Sequence, residues 1–349
     1  MMNDSVIERL DLNLDPDKPL TDPLAVLESA LAGVRQYHAI TTALDLGLFD
    51  VLREPKTGKE CAEALGCNVD LTSLLCEGLA SLNLLEKEGL HYRTSAVADT
   101  YFARDSLLCQ HHAIAFKRCL AGLWADLPLI LKEGPVTYDR TQMFHDVIIP
   151  SMAEYCRCGL LQKVTGLVAA LPEFPAARRL LDIGGGHGLY SIALCEKNPR
   201  LEATVFDLPM VTAATRDFIG RYRAERVHVH PGDFFTDPFS NGYDIVFSSS
   251  NPGGKVPALI PKIASALKQG GLFINKQDLD EGQVNPFLNL EWSMWTFHGV
   301  QKKSTRYVFS NSVPFAEYNR QLADHGFVVR EVISVDEQSA MTIAQKVTE

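Results

Sequence analysis

A chain of 349 residues, 46% of them hydrophobic, is long enough to bury a large core and to divide into two domains. Its net charge of −10, with no basic run beyond pairs such as Lys302-Lys303, is a poor match for a surface built for nucleic acid or an anionic membrane. The first residues, Met1-Met2-Asn3-Asp4-Ser5, carry no basic or apolar leader stretch, and no segment reaches the apolar length of a membrane span, so a cytoplasmic protein with small-molecule partners is expected.

Residues 1 to about 20 are polar and punctuated by Pro and Asp, as in a loosely held arm. Ala25, Leu27, Leu31, Val34, His38, Ala43, Leu46 and Leu48 then recur at helical spacing, which predicts a helix with a broad apolar face. Thr57-Gly58-Lys59-Glu60 reads as a capped helix start, short helices follow over 62–65 and 71–82, and 84–93 turns as a hairpin near Gly89. Three helices and a hairpin make a winged helix, which places a first domain over residues 1–104. Its presumed recognition helix, 70–81, holds Asp70 and Glu77 and no Lys or Arg. Phosphate contact there would be repulsive, so dimerisation is the expected role.

Residues 105–175 read as a helical linker and cap, in which His111, His112, Phe116, Trp124, Met143, Phe144, His145, Met152 and Tyr155 supply core or a pocket lining. The eight cysteines form no C-x-x-C pair, and Cys156-Arg157-Cys158 points two thiols to different sides of a helix, so buried free thiols and no metal site are expected. From Arg179 the pattern alternates: strands over 180–183, 203–206, 227–230, 244–248 and 271–275, with helices over 189–196, 210–219 and 256–267 between them. Helices near 286–298 and 313–325 and a terminal antiparallel pair, 326–332 with 340–344, complete a domain over 176–349. The fold class is α/β: a mostly parallel, Rossmann-like doubly wound sheet with an antiparallel C-terminal strand, behind a mainly α N-terminal domain.

The stretch Leu180-Leu181-Asp182-Ile183-Gly184-Gly185-Gly186-His187-Gly188 joins an apolar strand, a terminal carboxylate and a glycine loop. Such a loop turns sharply from strand to helix and lets backbone N–H groups approach a ligand. A dinucleotide fingerprint needs G-x-G-x-x-G, whereas Gly184-x-Gly186-x-Gly188 is followed by Leu189 and Tyr190, and the Asp182 carboxylate would repel a pyrophosphate. The ammonium of S-adenosylmethionine (SAM) suits that acid better. A second strand ends at Asp207, where a ribose diol would want an acceptor, and a third runs into Gly232-Asp233-Phe234, offering a carboxylate to an adenine amino group and a ring to its face. Only SAM uses all three.

At this point the chain resembles the class I SAM-dependent methyltransferases, specifically the small-molecule O-methyltransferases with an N-terminal winged-helix dimerisation domain. The resemblance rests on Leu46-Gly47-Leu48-Phe49-Asp50, the glycine loop, Val205-Phe206-Asp207-Leu208-Pro209, Gly232-Asp233-Phe234-Phe235 and Gly270-Gly271. It implies that Gly184 and Gly186 approach the methionine part of SAM, that Asp207 holds the ribose, and that Asp233 with Phe234 frames the adenine. The cofactor-binding set expected is Asp182, Gly184, Gly185, Gly186, Asp207, Leu208, Asp233, Phe234 and Ser248. The resemblance also implies a homodimer in which an N-terminal helix helps close the partner's pocket.

The chain departs from the family after the fourth strand. The family places a His-Asp pair there, in a context like L-H-D-W, with the His as general base. Here stands Ser248-Ser249-Ser250-Asn251-Pro252-Gly253-Gly254-Lys255, with Gly253 and Gly254 at about the two positions. The acid of a G-G-x-E-R-T-like loop is also missing, where Gly299-Val300-Gln301-Lys302-Lys303-Ser304-Thr305 stands. General-base catalysis contributes roughly 10²- to 10⁴-fold, so the expected enzyme methylates an O-, S-, N- or C-acceptor by positioning and desolvation, or recruits His298 or His145 as base. A SAM-binding protein doing non-methyl chemistry, a catalytically inactive one, and a ligand-sensing DNA-binding regulator are the alternatives.

Overall fold

The computed structural model describes residues 21–279, 285–300, 302 and 309–347. The N-terminal arm expected over residues 1–20, and most of the loop after Gly299, lie outside the described residues. The chain divides into two compact units, residues 1–109 and 110–349.

In the first unit, α1 (Thr21–Leu46) and α2 (Leu48–Val51) are separated by Gly47, which adopts φ 72°. After β1 (Lys56–Thr57), Thr57 and Glu60 close a capping box on α3 (Gly58–Leu65), satisfying two of the helix's free N–H groups. Then follow α4 (Val69–Ser81), the hairpin β2 (Leu85–Glu88) and β3 (His91–Thr94), which turns at Gly89, and α5 (Ala96–Phe102). β3 is the central strand of a small antiparallel sheet, β1-β3-β2. Leu48, Phe49, Leu52, Cys61, Cys76 and Leu79 form the core. The apolar stripe of α1 is buried only at its end: Ala43 is inside, whereas Leu24, Leu27, Leu31 and Val34 stand exposed.

The second unit begins with α6 (His111–Ala125), α7 (Leu127–Glu133), β4 (Val136–Tyr138) and α8 (Arg140–Met143). A single π turn, Phe144–Ile148, leads into α9 (Ile149–Arg157), and α10 (Leu160–Ala169) follows. The sheet strands are β5 (Arg179–Ile183), β6 (Glu202–Asp207), β7 (Val227–Pro231), β8 (Tyr243–Ser249) and β9 (Leu267–Asp278), with α11 (Leu189–Lys197), α12 (Pro209–Tyr222) and α13 (Ile260–Ala266) on the crossovers. The helix expected over 256–267 is shorter because Pro257 and Pro261 confine it: a 3₁₀ turn, Pro257–Leu259, precedes α13, and Leu267 already lies in β9.

Beyond β9 come α14 (Pro286–Ser293), β10 (Trp295–Phe297), α15 (Phe315–Asp324), β11 (Phe327–Ser334) and β12 (Ser339–Lys346). The helix expected to reach residue 298 ends at Ser293, because 295–297 pair in parallel with β4. The seven-stranded order is β11-β12-β9-β8-β5-β6-β7, with β5 to β9 mutually parallel and β12 antiparallel to β9 and β11. Order reverses between β5 and β8, so the carboxyl ends of β5, β6 and β8 bound the crevice where open α/β sheets bind ligands. Among the described residues no helix is long and apolar enough to cross a membrane.

Candidate active site

The glycine loop lies at that crevice. Gly184, Gly186 and Gly188 adopt φ of 64°, 54° and 72°, a region that side chains with a Cβ rarely occupy. The turn is pinned on three sides: the Gly184 N–H donates to Phe206 O (2.8 Å), the Gly186 N–H to Asp207 Oδ2 (2.9 Å), and the Thr215 hydroxyl to Gly186 O (2.6 Å). Asp182 lies beneath it, 1% exposed, accepting from the Ser191 hydroxyl at 2.8 Å. A Cβ on Gly185 would come within 2.6 Å of the Asp182 carboxyl carbon, so that glycine is required by the acid below it. Burial pushes the Asp182 carboxyl up to about 7, against the pull of Ser191. His187, also buried, accepts from the Leu189 N–H (3.1 Å), and burial pushes its imidazole down to about 4, so it serves the turn as a neutral ring.

Asp207 ends β6 beside the loop. One oxygen takes the Gly186 N–H and the other the Leu208 N–H (2.7 Å), and burial holds the carboxyl up at about 6 against those two donors and the Arg140 charge. Each oxygen keeps a second lone-pair direction for a diol. After β7, Asp233 Oδ1 accepts the Phe235 N–H (2.8 Å), and its other oxygen has no hydrogen-bond donor among the described residues. The half-buried ring of Phe234 packs edge-on to Phe235 with centroids 4.8 Å apart. A bare turn of backbone and two carboxylates thus stand at the ends of neighbouring strands, with the Phe234 ring beside them.

The fourth wall is the segment after β8. Ser248 is buried, and its hydroxyl accepts from Asn251 Nδ2 (2.7 Å). Asn251 also donates to Ile183 O (2.8 Å) and fills the space beside Gly184, where a Cβ would meet its own at 2.9 Å. Ser250 sits at φ 50° with its hydroxyl accepting from the buried Lys276 ammonium (2.8 Å). Gly253 and Gly254 are tightly faced: a Cβ on the first would stand 2.7 Å from the Phe234 ring, and on the second 1.7 Å from Gln277 Nε2, so either would displace its neighbour. Gln277 in turn donates to Asn275 Oδ1 (2.9 Å), and Asn275 Nδ2 to Gly254 O (2.7 Å). Asn251, Thr215 and Ser191 are contributors that sequence reading missed. Ser191 has a local signal, falling on the first turn of the helix that leaves the loop; the other two are set by tertiary contact alone.

The two histidines named as bases stand differently. His298 is exposed just after β10, its backbone N–H donating to Tyr138 O (3.2 Å), and its ring has no polar partner among the described residues. His145, in the π turn, has Nδ1 at 2.7 Å from Asp146 and Nε2 at 3.2 Å from Asp217, and the Asp146 hydrogen bond chiefly holds its pKa above the ordinary value. Carboxylates engage both nitrogens, which favours the protonated ring. All eight cysteines are free, Cys156 buried and Cys158 exposed, and among the described residues no three His, Cys, Asp or Glu side chains are grouped to hold a metal ion.

A glycine turn at the switch point, flanked by acids on successive strands, defines a nucleoside-cofactor-binding α/β enzyme. Residues 160–283 match the O-methyltransferase domain and residues 29–104 the O-methyltransferase dimerisation domain. The chain is 36% identical over 330 residues to an uncharacterised protein of Methanocaldococcus jannaschii, covering 92% of this chain and 89% of that one. It is 26% identical over 342 residues to the N,N-dimethyltransferase OxyT of Streptomyces rimosus, covering 90% and 94%. It shares its fold with human N-acetylserotonin methyltransferase, solved in complex with SAM, at TM-score 0.66 and 19% identity over 96% of this chain and 100% of that one. The chain belongs to the O-methyltransferase family and is a SAM-dependent methyltransferase of small molecules.

Proposed function

We propose that this methyltransferase works without a side-chain general base, on an acceptor that is already nucleophilic near neutral pH: an acidic phenol or enol, a thiol or an amine. The observation that carries this is at Gly253 and Gly254. By the resemblance the family's His-Asp pair falls at about these two glycines, and a Cβ on either would meet the Phe234 ring or the Gln277 amide. SAM supplies an electrophilic methyl on a sulfonium. The chain's part is to align donor and acceptor and exclude water, which for well-oriented reactants is worth up to roughly 7–11 kcal/mol of barrier. Asp182, Gly184, Gly185, Gly186, Asp207, Leu208, Asp233, Phe234 and Ser248 would hold the donor, with Asp182 acting from beneath the loop.

The exposed Leu24, Leu27, Leu31 and Val34 of α1 support a homodimer built through the winged-helix region, and we place the enzyme in the cytoplasm with a cap over residues 105–175. The test is methyl transfer from labelled SAM to a panel of phenols, thiols and amines, with rate followed against pH. The rate should rise with each acceptor's own ionisation, and His298→Ala should change it less than about threefold. A single enzyme pKa common to all acceptors, or a loss of about 10²-fold or more in His298→Ala, would overturn the base-free reading.

A further inference from the structure

A cavity of about 380 Å³ opens in the second unit between α6, the π turn, α9 and α12, and shares no lining residue with the cradle. Two helices connect the places. On α9, Ile149 lies 3.7 Å from where a Cβ on Gly186 would stand, while Glu154 and Arg157, further along, line the cavity. On α12, which starts just after Asp207, the lining residues Asp217 and Arg221 come two to three turns later, about 12 Å or more down the axis.

The acids of this cavity are already engaged. Glu154, its side chain 8% exposed, has His112 Nδ1 at 2.6 Å and accepts the Ala113 N–H at 2.9 Å. Asp146 and Asp217 grip the two nitrogens of His145. The arginines are not engaged. Neither Arg157 nor Arg221 has a carboxylate within ion-pair distance among the described residues; Arg221 lies over the Phe218 ring at 5.4 Å, and Arg157 Nε is buried with no hydrogen-bond partner. Native proteins rarely leave a buried donor unsatisfied, and guanidinium groups suit carboxylate and phosphate oxygens. The π turn supplies His145 and Asp146 to the same wall, and such turns recur at functional sites.

We propose that this cavity binds a small anionic metabolite, a polycarboxylate or a phosphate ester, through Arg157 and Arg221. The volume is at the lower end for small-molecule sites, which sets an upper bound on ligand size. The test is calorimetric titration of the full chain with citrate and with inorganic phosphate, with and without S-adenosylhomocysteine to fill the cradle. Wild type, R157Q, R221Q and R157K are compared. At least one anion should bind saturably to the wild type whether or not the cradle is filled, and each Gln variant should weaken it about ten- to a hundred-fold, with R157K retaining part. Phosphate preference would identify a phosphate ester, citrate preference a polycarboxylate. The unliganded melting temperature and the affinity for S-adenosylhomocysteine should stay as in the wild type. No saturable binding of either anion up to about 10 mM, binding that persists in both Gln variants, or binding abolished by filling the cradle overturns the inference.

Discussion

Lowering the pH should loosen the enzyme's hold on S-adenosylhomocysteine, and Asp207 sets by how much. Burial holds its carboxyl up at about 6, and only the ionised form can accept both hydroxyls of a ribose diol while keeping the Gly186 and Leu208 N–H groups. At that pKa the ionised fraction falls from about 0.97 at pH 7.5 to about 0.09 at pH 5, so the apparent Kd should rise about tenfold, or about 1.4 kcal/mol. The ligand's own amine, with a pKa near 8, goes from about three-quarters to fully protonated over this range, an opposing effect of only about 1.3-fold. Isothermal titration at both pH values, in two buffers of different ionisation heat, gives the affinity and counts the proton released. Asp207→Asn should bind more weakly at neutral pH and show no slope, while Asp182→Asn should keep the slope. A wild-type affinity that is flat from pH 7.5 to 5, or an Asn variant with the wild-type slope, would refute the assignment of the ribose to Asp207.

Asp182 should leave its mark on stability. Its folded pKa, about 7, lies above the unfolded value, so its contribution is present at low pH and lost as pH rises through 7. Between pH 5 and 8 the wild type should lose about 2–3 kcal/mol relative to Asp182→Asn, read by urea unfolding at the two pH values; parallel pH profiles would contradict a buried, proton-holding Asp182. Gly254→Ala should cost about 1–3 kcal/mol, because Gln277 must leave its place between Asn275 and Ser248, and should lower affinity for S-adenosylhomocysteine as Ser248 and Asn251 shift. A stable Gly254→His variant with faster methyl transfer would show instead that the position is open to a base.

The cradle was legible in the sequence because its demands are local. Gly184, Gly186 and Gly188 are needed by their own backbone angles, and Asp182 and Asp207 fall at ends of apolar strands that any reading of the pattern locates. The stripe on α1 announced an apolar face, yet periodicity is silent on what covers it, and this chain leaves Leu27 and Leu31 outside. The β4–β10 pairing was hidden because each strand is three residues long and its partner lies far along the chain, so Trp295, Thr296 and Phe297 read as more helix. The arginine-lined cavity was hidden for a related reason: Arg157 and Arg221 acquire meaning only because Glu154 and Asp217, acids of their own helices, are engaged by His112 and His145 from other elements.

The π turn at Phe144–Ile148 fixes an angular phase. It holds one residue more than an α turn, so everything after it is rotated by about 100° relative to a straight continuation of α8. That rotation puts Ile149 against the glycine loop and, further along the same helix, Glu154 and Arg157 on the cavity. Deleting a single residue within the turn would swing both contacts away together. A change in the length of this segment should therefore disturb the loop contact and the cavity wall at once.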